Sequence, residues 1–227
     1  LYVVQAGSGI IQKLVRAQAN ADFDGDFRTD LSVYRQSNST WYIVNSGSGI
    51  ETQSLPASAS AIAASEDYDG DRITDHGIFD PVNGQWIYLR SSNSTLGAAD
   101  WGDSGDVPVA GDYDGDARAD FVVYRPSNGF WYYFRSSDGG FASFQWGGEA
   151  GDVPIVGDFD GDGLADRTIW RPTNGNWYTV YSTNNWVTIS QYGVQGDIPA
   201  TGDFDNDGRN DLAVFRPTAG TWFQRLS

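Results

Sequence analysis

Five short acidic segments hold the residues best suited to chemistry. They are DFDGDFRTD from Asp22, DYDGDRITD from Asp67, DYDGDARAD from Asp112, DFDGDGLAD from Asp158 and DFDNDGRND from Asp203. Each places Asp at positions 1, 3, 5 and 9. At about 5 Å and an effective dielectric of ~20, each like-charge pair costs on the order of 3 kcal/mol before screening. Asp and Gly favour turns in their own right, but turn chemistry alone leaves this repulsion uncompensated. A loop of this kind needs a cation.

Calcium fits the donors best. It is a hard ion that takes six to eight oxygens at roughly 2.3–2.6 Å. Side chains at positions 1, 3 and 5 of a tightly coiling loop converge on its inside, and the position-7 carbonyl turns inward. The Asp at position 9 closes the site where the next strand begins. The expected ligand sets are Asp22, Asp24, Asp26, Arg28 and Asp30; Asp67, Asp69, Asp71, Ile73 and Asp75; Asp112, Asp114, Asp116, Arg118 and Asp120; Asp158, Asp160, Asp162, Leu164 and Asp166; and Asp203, Asp205, Asp207, Arg209 and Asp211. The position-7 residues enter through their carbonyls. Position 4 is Gly25, Gly70, Gly115, Gly161 or Asn206, which tolerate a left-handed backbone.

Other ions and motifs fit less well. An EF-hand loop needs a bidentate Glu at position 12, where this chain has Val33, Ile78, Val123, Ile169 and Val214. Zinc would call for His or Cys, and the chain has one His and no Cys. Magnesium would use fewer carboxylates and more water. The acid bias agrees with a cation binder, since 27 of the 30 acidic residues are Asp. Five divalent ions, carrying ten positive charges, would bring the formal charge from −16 to −6. The same negative charge argues against a nucleic-acid partner.

The elements that position these loops follow from a repeat. Loop starts are 45, 45, 46 and 45 residues apart, and a Trp follows each start by 19 residues: Trp41, Trp86, Trp131, Trp177 and Trp222. The clearest unit runs from Gly105 to Gly147. It reads as four strands, PVAGD, DFVVYR, WYYFRS and FASFQWG, with a reversing turn at Pro126 to Gly129. No segment has helical periodicity over even three turns.

In the second strand one position holds Val33, Ile78, Val123, Ile169 and Val214, and the next holds Tyr34, Phe79, Tyr124, Trp170 and Phe215. Adjacent strand residues point to opposite faces, so both faces should be covered, as in radially stacked blades. The reading is an all-β protein, a β-propeller of five blades of four antiparallel strands, with one calcium loop per blade. Residues 1–227 form one domain. LYVVQAGSGI at the start resembles WYIVNSGSGI from Trp41, so the chain opens out of phase. It is expected to close by pairing residues 203–227 with a strand near 9–15 in a shared blade, which leaves one third strand surplus. The chain starts at Leu1 and contains no Met, which reads as a processed product or a fragment.

The sequence GDYDGDARADFVVYRPSNGFWY resembles the FG-GAP or VCBS-type repeat, related to the calcium-binding blades of integrin α-subunit propellers. The resemblance is strongest where GDVP, GDVP and GDIP precede the last three loops. It implies a propeller with calcium between the first two strands of each blade, and a secreted or cell-surface protein. Integrin-type loops usually carry Gly at position 6, whereas only Gly163 and Gly208 do so here.

The other recurring residues read as structure. The third-strand Trp residues read as core. Trp101, Trp146 and Tyr192 read as packing ahead of sugar contacts, and Arg35, Arg125, Arg171 and Arg216 as partners of a neighbouring loop or carbonyl. His76 and Arg167 break the repeat at one shared position. The functional expectation is a non-enzymatic, monomeric, extracellular binding or adhesion module, without membrane insertion, that recognises glycans or surface polymers and proteins. The alternative is a calcium-stiffened spacer in a larger secreted protein. A glycosidase ranks last, because catalysis needs two acids in distinct environments and the loops account for nearly all the acids.

Overall fold

The computed structural model describes residues 21–227 apart from 27 and 206. Within them five antiparallel sheets follow one another along the chain as blades. Blade 1 is β1 (Leu31–Arg35), β2 (Thr40–Asn45) and β3 (Gly49–Ser54). Blade 2 is β4 (Ile62–Ala63), β5 (His76–Asp80), β6 (Gln85–Leu89) and β7 (Leu96–Asp100). Blade 3 is β8 (Val107–Pro108), β9 (Phe121–Arg125), β10 (Phe130–Phe134) and β11 (Phe141–Gln145). Blade 4 is β12 (Val153–Gly157), β13 (Asp166–Arg171), β14 (Asn176–Val180) and β15 (Val187–Gln191). Blade 5 is β16 (Ile198–Gly202), β17 (Asp211–Arg216) and β18 (Thr221–Arg225). The chain is an all-β, five-blade propeller. Among the described residues the one helical element is a short 3-10 turn at Gln36–Asn38, and no helix is long and apolar enough to cross a membrane.

Blades 2 to 4 have the expected four strands, although the first strand is only two residues long in blades 2 and 3. The β9–β10 hairpin turns on Pro126 to Gly129, with the Gly129 N–H donating to the Arg125 carbonyl at 2.9 Å. Gly129 has φ +72°, and a Cβ there would lie 2.6 Å from the Gly147 carbonyl oxygen. Both the turn and the close approach therefore require glycine.

Apolar contacts pass from blade to blade. Tyr34 shares a core cluster with Ile78, Phe79 with Val123, Tyr124 with Ile169, and Trp170 with Val214. The aromatic face of each second strand thus meets the aliphatic face of the next, so blades 2 to 4 are covered on both sides. Val33 and Phe215 stand at the ends of this relay, and Val33 is 46% exposed. Trp41, Trp86, Trp131 and Trp177 are fully buried, as expected of core. In blades 2 to 4 the indole N–H of this Trp donates to the carbonyl of Trp101, Trp146 or Tyr192. Trp101 and Trp146 in turn donate to Tyr132 and Tyr178 carbonyls of the next blade. These aromatics tie blades together.

Blades 1 and 5 have three strands each among the described residues. The strand expected near 9–15 lies outside the described residues, and the shared blade stays a proposal. The buried Trp222 Nε1 has no acceptor among the described residues, where blades 2 to 4 use a fourth-strand carbonyl.

Three of the four recurring Arg residues pair with a neighbouring loop as expected, whereas among the described residues Arg35 donates to the Tyr42 hydroxyl instead. Arg125 grips Asp106 through Nε and Nη2 at 2.8 and 2.9 Å. Arg171 holds Asp152, and Arg216 holds Asp197, in the same fork. These acids are the Asp of GDVP and GDIP, so the Pro-bearing entry strand and the Arg come as a pair. The Asp106 side chain is fully buried. Removing one partner of such a pair leaves an uncompensated charge. Arg125→Met should therefore lower unfolding free energy by about 3 kcal/mol or more in urea melts. Arg35→Met, where the guanidinium covers Tyr42, should cost about 1 kcal/mol or less.

Candidate metal centres

In blades 2 to 5 the acidic loop joins the first strand to the second, in blade 1 it precedes β1, and its geometry comes from its own carboxylates. In loop 3, Asp112 Oδ1 accepts the Gly115 N–H at 2.6 Å and Oδ2 accepts the Ala117 N–H at 2.9 Å. Asp116 accepts the Arg118 N–H. Asp120 closes the loop by accepting the Tyr113 N–H at 3.0 Å. Loops 2 and 4 repeat the pattern. Position 4 is left-handed in loops 1 to 4, with φ +84° at Gly115.

Position 6 is left-handed as well in loops 2 to 5, whether or not it is glycine. Arg72 and Ala117 have φ of 71° and 65°, beside 86° and 89° at Gly163 and Gly208. The missing glycine therefore leaves the coil unchanged in loops 2 and 3, at a strain of roughly 1–2 kcal/mol per non-glycine residue.

In four loops the carboxylates of positions 1, 3 and 9 converge. Oxygens of Asp22, Asp24 and Asp30 lie within 4.8 Å of one another, as do those of Asp112, Asp114 and Asp120, of Asp158, Asp160 and Asp166, and of Asp203, Asp205 and Asp211. In loop 2 the group is Asp67, Asp69 and Asp71. Outside loop 2, the position-5 residues Asp26, Asp116, Asp162 and Asp207 are not part of the converging trio. Among the position-7 carbonyls, that of Ile73 faces the Ser91 hydroxyl at 3.5 Å, on the Asp71 side of the loop. Arg28, Arg118, Leu164 and Arg209 donate their N–H groups to position 5.

The donor set suits a hard cation. It is all oxygen, with three carboxylates converging within 4.8 Å and a fourth in the same loop. Asp114 Oδ1 is buried without a hydrogen-bond partner, so its lone pairs are open to an ion. Burial pushes the position-9 acids Asp30, Asp75, Asp120 and Asp166 up against the pull of their amide donors. Asp75 and Asp120 rise to about 6 and Asp166 to about 7. Nearby loop carboxylates push in the same direction.

These shifts have a sign. A carboxyl whose folded pKa exceeds its unfolded value binds protons more tightly when folded, so its stabilising contribution is present in acid and is lost as pH rises through the folded value. In chelator, the melting temperature should therefore fall between pH 5 and pH 8. With saturating calcium the order should reverse, because the ion binds the deprotonated acids. Differential scanning calorimetry at both pH values reads this crossing.

One set of site residues escaped the sequence reading. Ser46, Ser91, Ser136, Ser182 and Ser227 stand five residues after the recurring Trp, where the third strand ends. Each donates its backbone N–H to the position-9 carboxylate at 2.7–2.8 Å. Each also donates its hydroxyl to the position-5 carboxylate at 2.7–3.0 Å. A second hydroxyl, from Ser48, Ser92, Ser137 or Thr183, reaches the position-3 acid in loops 1 to 4. The constant offset from Trp was the available signal.

Adjacent loops touch. The position-8 N–H of the following loop donates to the position-1 carbonyl in Thr74 to Asp22, Ala119 to Asp67, Ala165 to Asp112 and Asn210 to Asp158, at 2.6–2.7 Å. His76 and Arg167 lie between blades. His76 packs on Phe23 and Trp41 and lies 3.6 Å from Glu51, and Arg167 lies over Phe144 and donates to the Tyr133 hydroxyl.

Comparison with known proteins agrees with this architecture. The FG-GAP repeat model matches residues 196–225, which span loop 5, β17 and β18. No curated protein matches the chain. Among solved structures it resembles a streptogramin B lyase at 12% identity and TM-score 0.54, covering 88% of this chain and 65% of that one. It also resembles a catalytically inactive virginiamycin B lyase from Staphylococcus aureus with quinupristin, at 11% and 0.55, covering 92% and 68%. A third is an Agrocybe aegerita lectin that recognises non-reducing terminal N-acetylglucosamine, at 16% and 0.55, covering 93% and 65%. The chain thus spans about two thirds of these structures, and at such identities the likeness is one of fold. Five successive blades carry the same acidic loop, and the last of them matches the FG-GAP repeat.

Proposed function

We propose that the chain is an extracellular calcium-binding propeller that acts as a binding or adhesion module, with one ion in each of its five loops. The observation that carries this reading is the convergence of three carboxylates within 4.8 Å in all five loops. In loops 1, 3, 4 and 5 the acids at positions 1, 3 and 9 would hold the ion, in loop 2 those at positions 1, 3 and 5, and the remaining acid and the position-7 carbonyl would complete the shell. The ion would neutralise the carboxylates and lock blade to blade through the loop-to-loop hydrogen bonds. A secreted or surface location follows from the same chemistry, because such loops need free calcium to stay filled.

The recognition surface proposed is the groove between blades 3 and 4, about 440 Å³, where Trp146 and Tyr178 stand beside Gln145, Glu149 and Arg171. Aromatic faces with polar edges suit a sugar ring. The lectin likeness supports this at the level of fold alone. Screening the calcium-loaded monomer on a glycan array tests it. Calcium-dependent binding that Tyr178→Ala removes is the expected result, and no binding to any glycan would favour the spacer reading. The lyase likenesses raise an enzyme as the competing class. His76, the one histidine, packs against Phe23 and Trp41 of blade 1 and does not line that groove.

A further inference from the structure

We infer that the serine at the exit of each third strand is a positioning residue of the metal site, and that its hydroxyl sets calcium affinity by holding the position-5 carboxylate. The inference rests on the calcium reading above. In loop 3, Ser136 donates its N–H to Asp120 at 2.8 Å and its hydroxyl to Asp116 at 2.9 Å and Asp120 at 3.1 Å. The backbone bond is independent of the side chain, so it fixes the serine in place and leaves the hydroxyl as the variable part. Asp116 otherwise accepts the Arg118 N–H within its own turn.

Two physical consequences follow. Neighbouring carboxylates repel, and an untethered Asp116 would relieve that repulsion by turning to solvent. The serine hydroxyl opposes this, so less side-chain freedom remains to be lost when an ion binds. A carboxylate that gives one oxygen to a cation can still accept a hydrogen bond on the other, so the serine contact persists in the loaded state. Partners of this kind typically change metal affinity by about 10–100-fold when removed. All five copies carry the serine at the same place, although each lies 24 residues beyond its loop start.

The test is a calcium titration of the whole protein followed by amide NMR. The Gly115 N–H donates to Asp112 and reports loop 3, while Gly70 and Gly161 donate to Asp67 and Asp158 and report its neighbours. In Ser136→Ala the Gly115 midpoint should rise about tenfold, with Gly70 and Gly161 at their parental midpoints. Ser136→Thr, which keeps the hydroxyl, should restore the Gly115 midpoint. An unchanged Gly115 midpoint in Ser136→Ala would overturn the inference, including where melting in chelator drops, since that pattern marks a purely structural serine. Should Ser136→Ala fail to fold, Ser182→Ala read at Gly161 makes the same comparison. If Gly115 in the parent protein does not respond to calcium at all, the metal reading itself fails and the serine inference goes with it.

Discussion

Stripping the protein with chelator is expected to lower its melting temperature by upward of ~20 °C. A ligand that binds only the folded state stabilises it by about 2.7 kcal/mol per site at a hundredfold excess over its dissociation constant. In a protein of this size each kcal/mol moves the midpoint by about 2–4 °C. Five acidic loops, filled together, account for the size of the drop. The loops also hold one another through the position-1 carbonyls, so loss of the ions removes order along the whole series of blades. Scanning calorimetry with calcium and with chelator reads the effect, and coincident midpoints would refute it.

The second large effect separates the two jobs of a loop carboxylate. Asp120 is fully buried and accepts the Tyr113 and Ser136 amides. Asp120→Ala leaves both without an acceptor, at about 1–3 kcal/mol each, so it should destabilise the protein by about 2–6 kcal/mol even in chelator and also abolish the loop-3 ion. Asp114 accepts from one exposed hydroxyl, of Ser137. Asp114→Ala should cost less than about 0.5 kcal/mol in chelator, because it also removes like-charge repulsion, yet it should remove the loop-3 ion equally. Urea melts with and without calcium distinguish the two. Equal losses in chelator would contradict the division of labour.

Much of this architecture was legible from the sequence because the repeat samples it five times. The Asp positions, the Trp core, the Pro126 to Gly129 turn and the pairing of Arg125, Arg171 and Arg216 all rest on local spacing or on an unusual residue type held at one offset. What escaped reading depends on contacts between distant parts of a blade. Ser136 is an ordinary residue at an ordinary strand end, and it becomes part of a site only when the third strand folds back beside a loop 24 residues earlier. The serine hydroxyl bonds the position-5 acid in every loop, whether that acid stands apart from the converging trio or, as in loop 2, joins it. Position 6 misled in the other direction. Glycine is the usual answer to a left-handed backbone, but Asp67 and Asp112 hold Arg72 and Ala117 there through their amides. Coverage of both strand faces holds from blade to blade and gives out at Val33, where no preceding blade stands among the described residues.

The most direct measurement is the number of ions. Isothermal titration of the stripped protein with calcium, checked by native mass spectrometry, should give five ions per chain, one for each acidic loop. A count of none or one would contradict the account, whatever the fold.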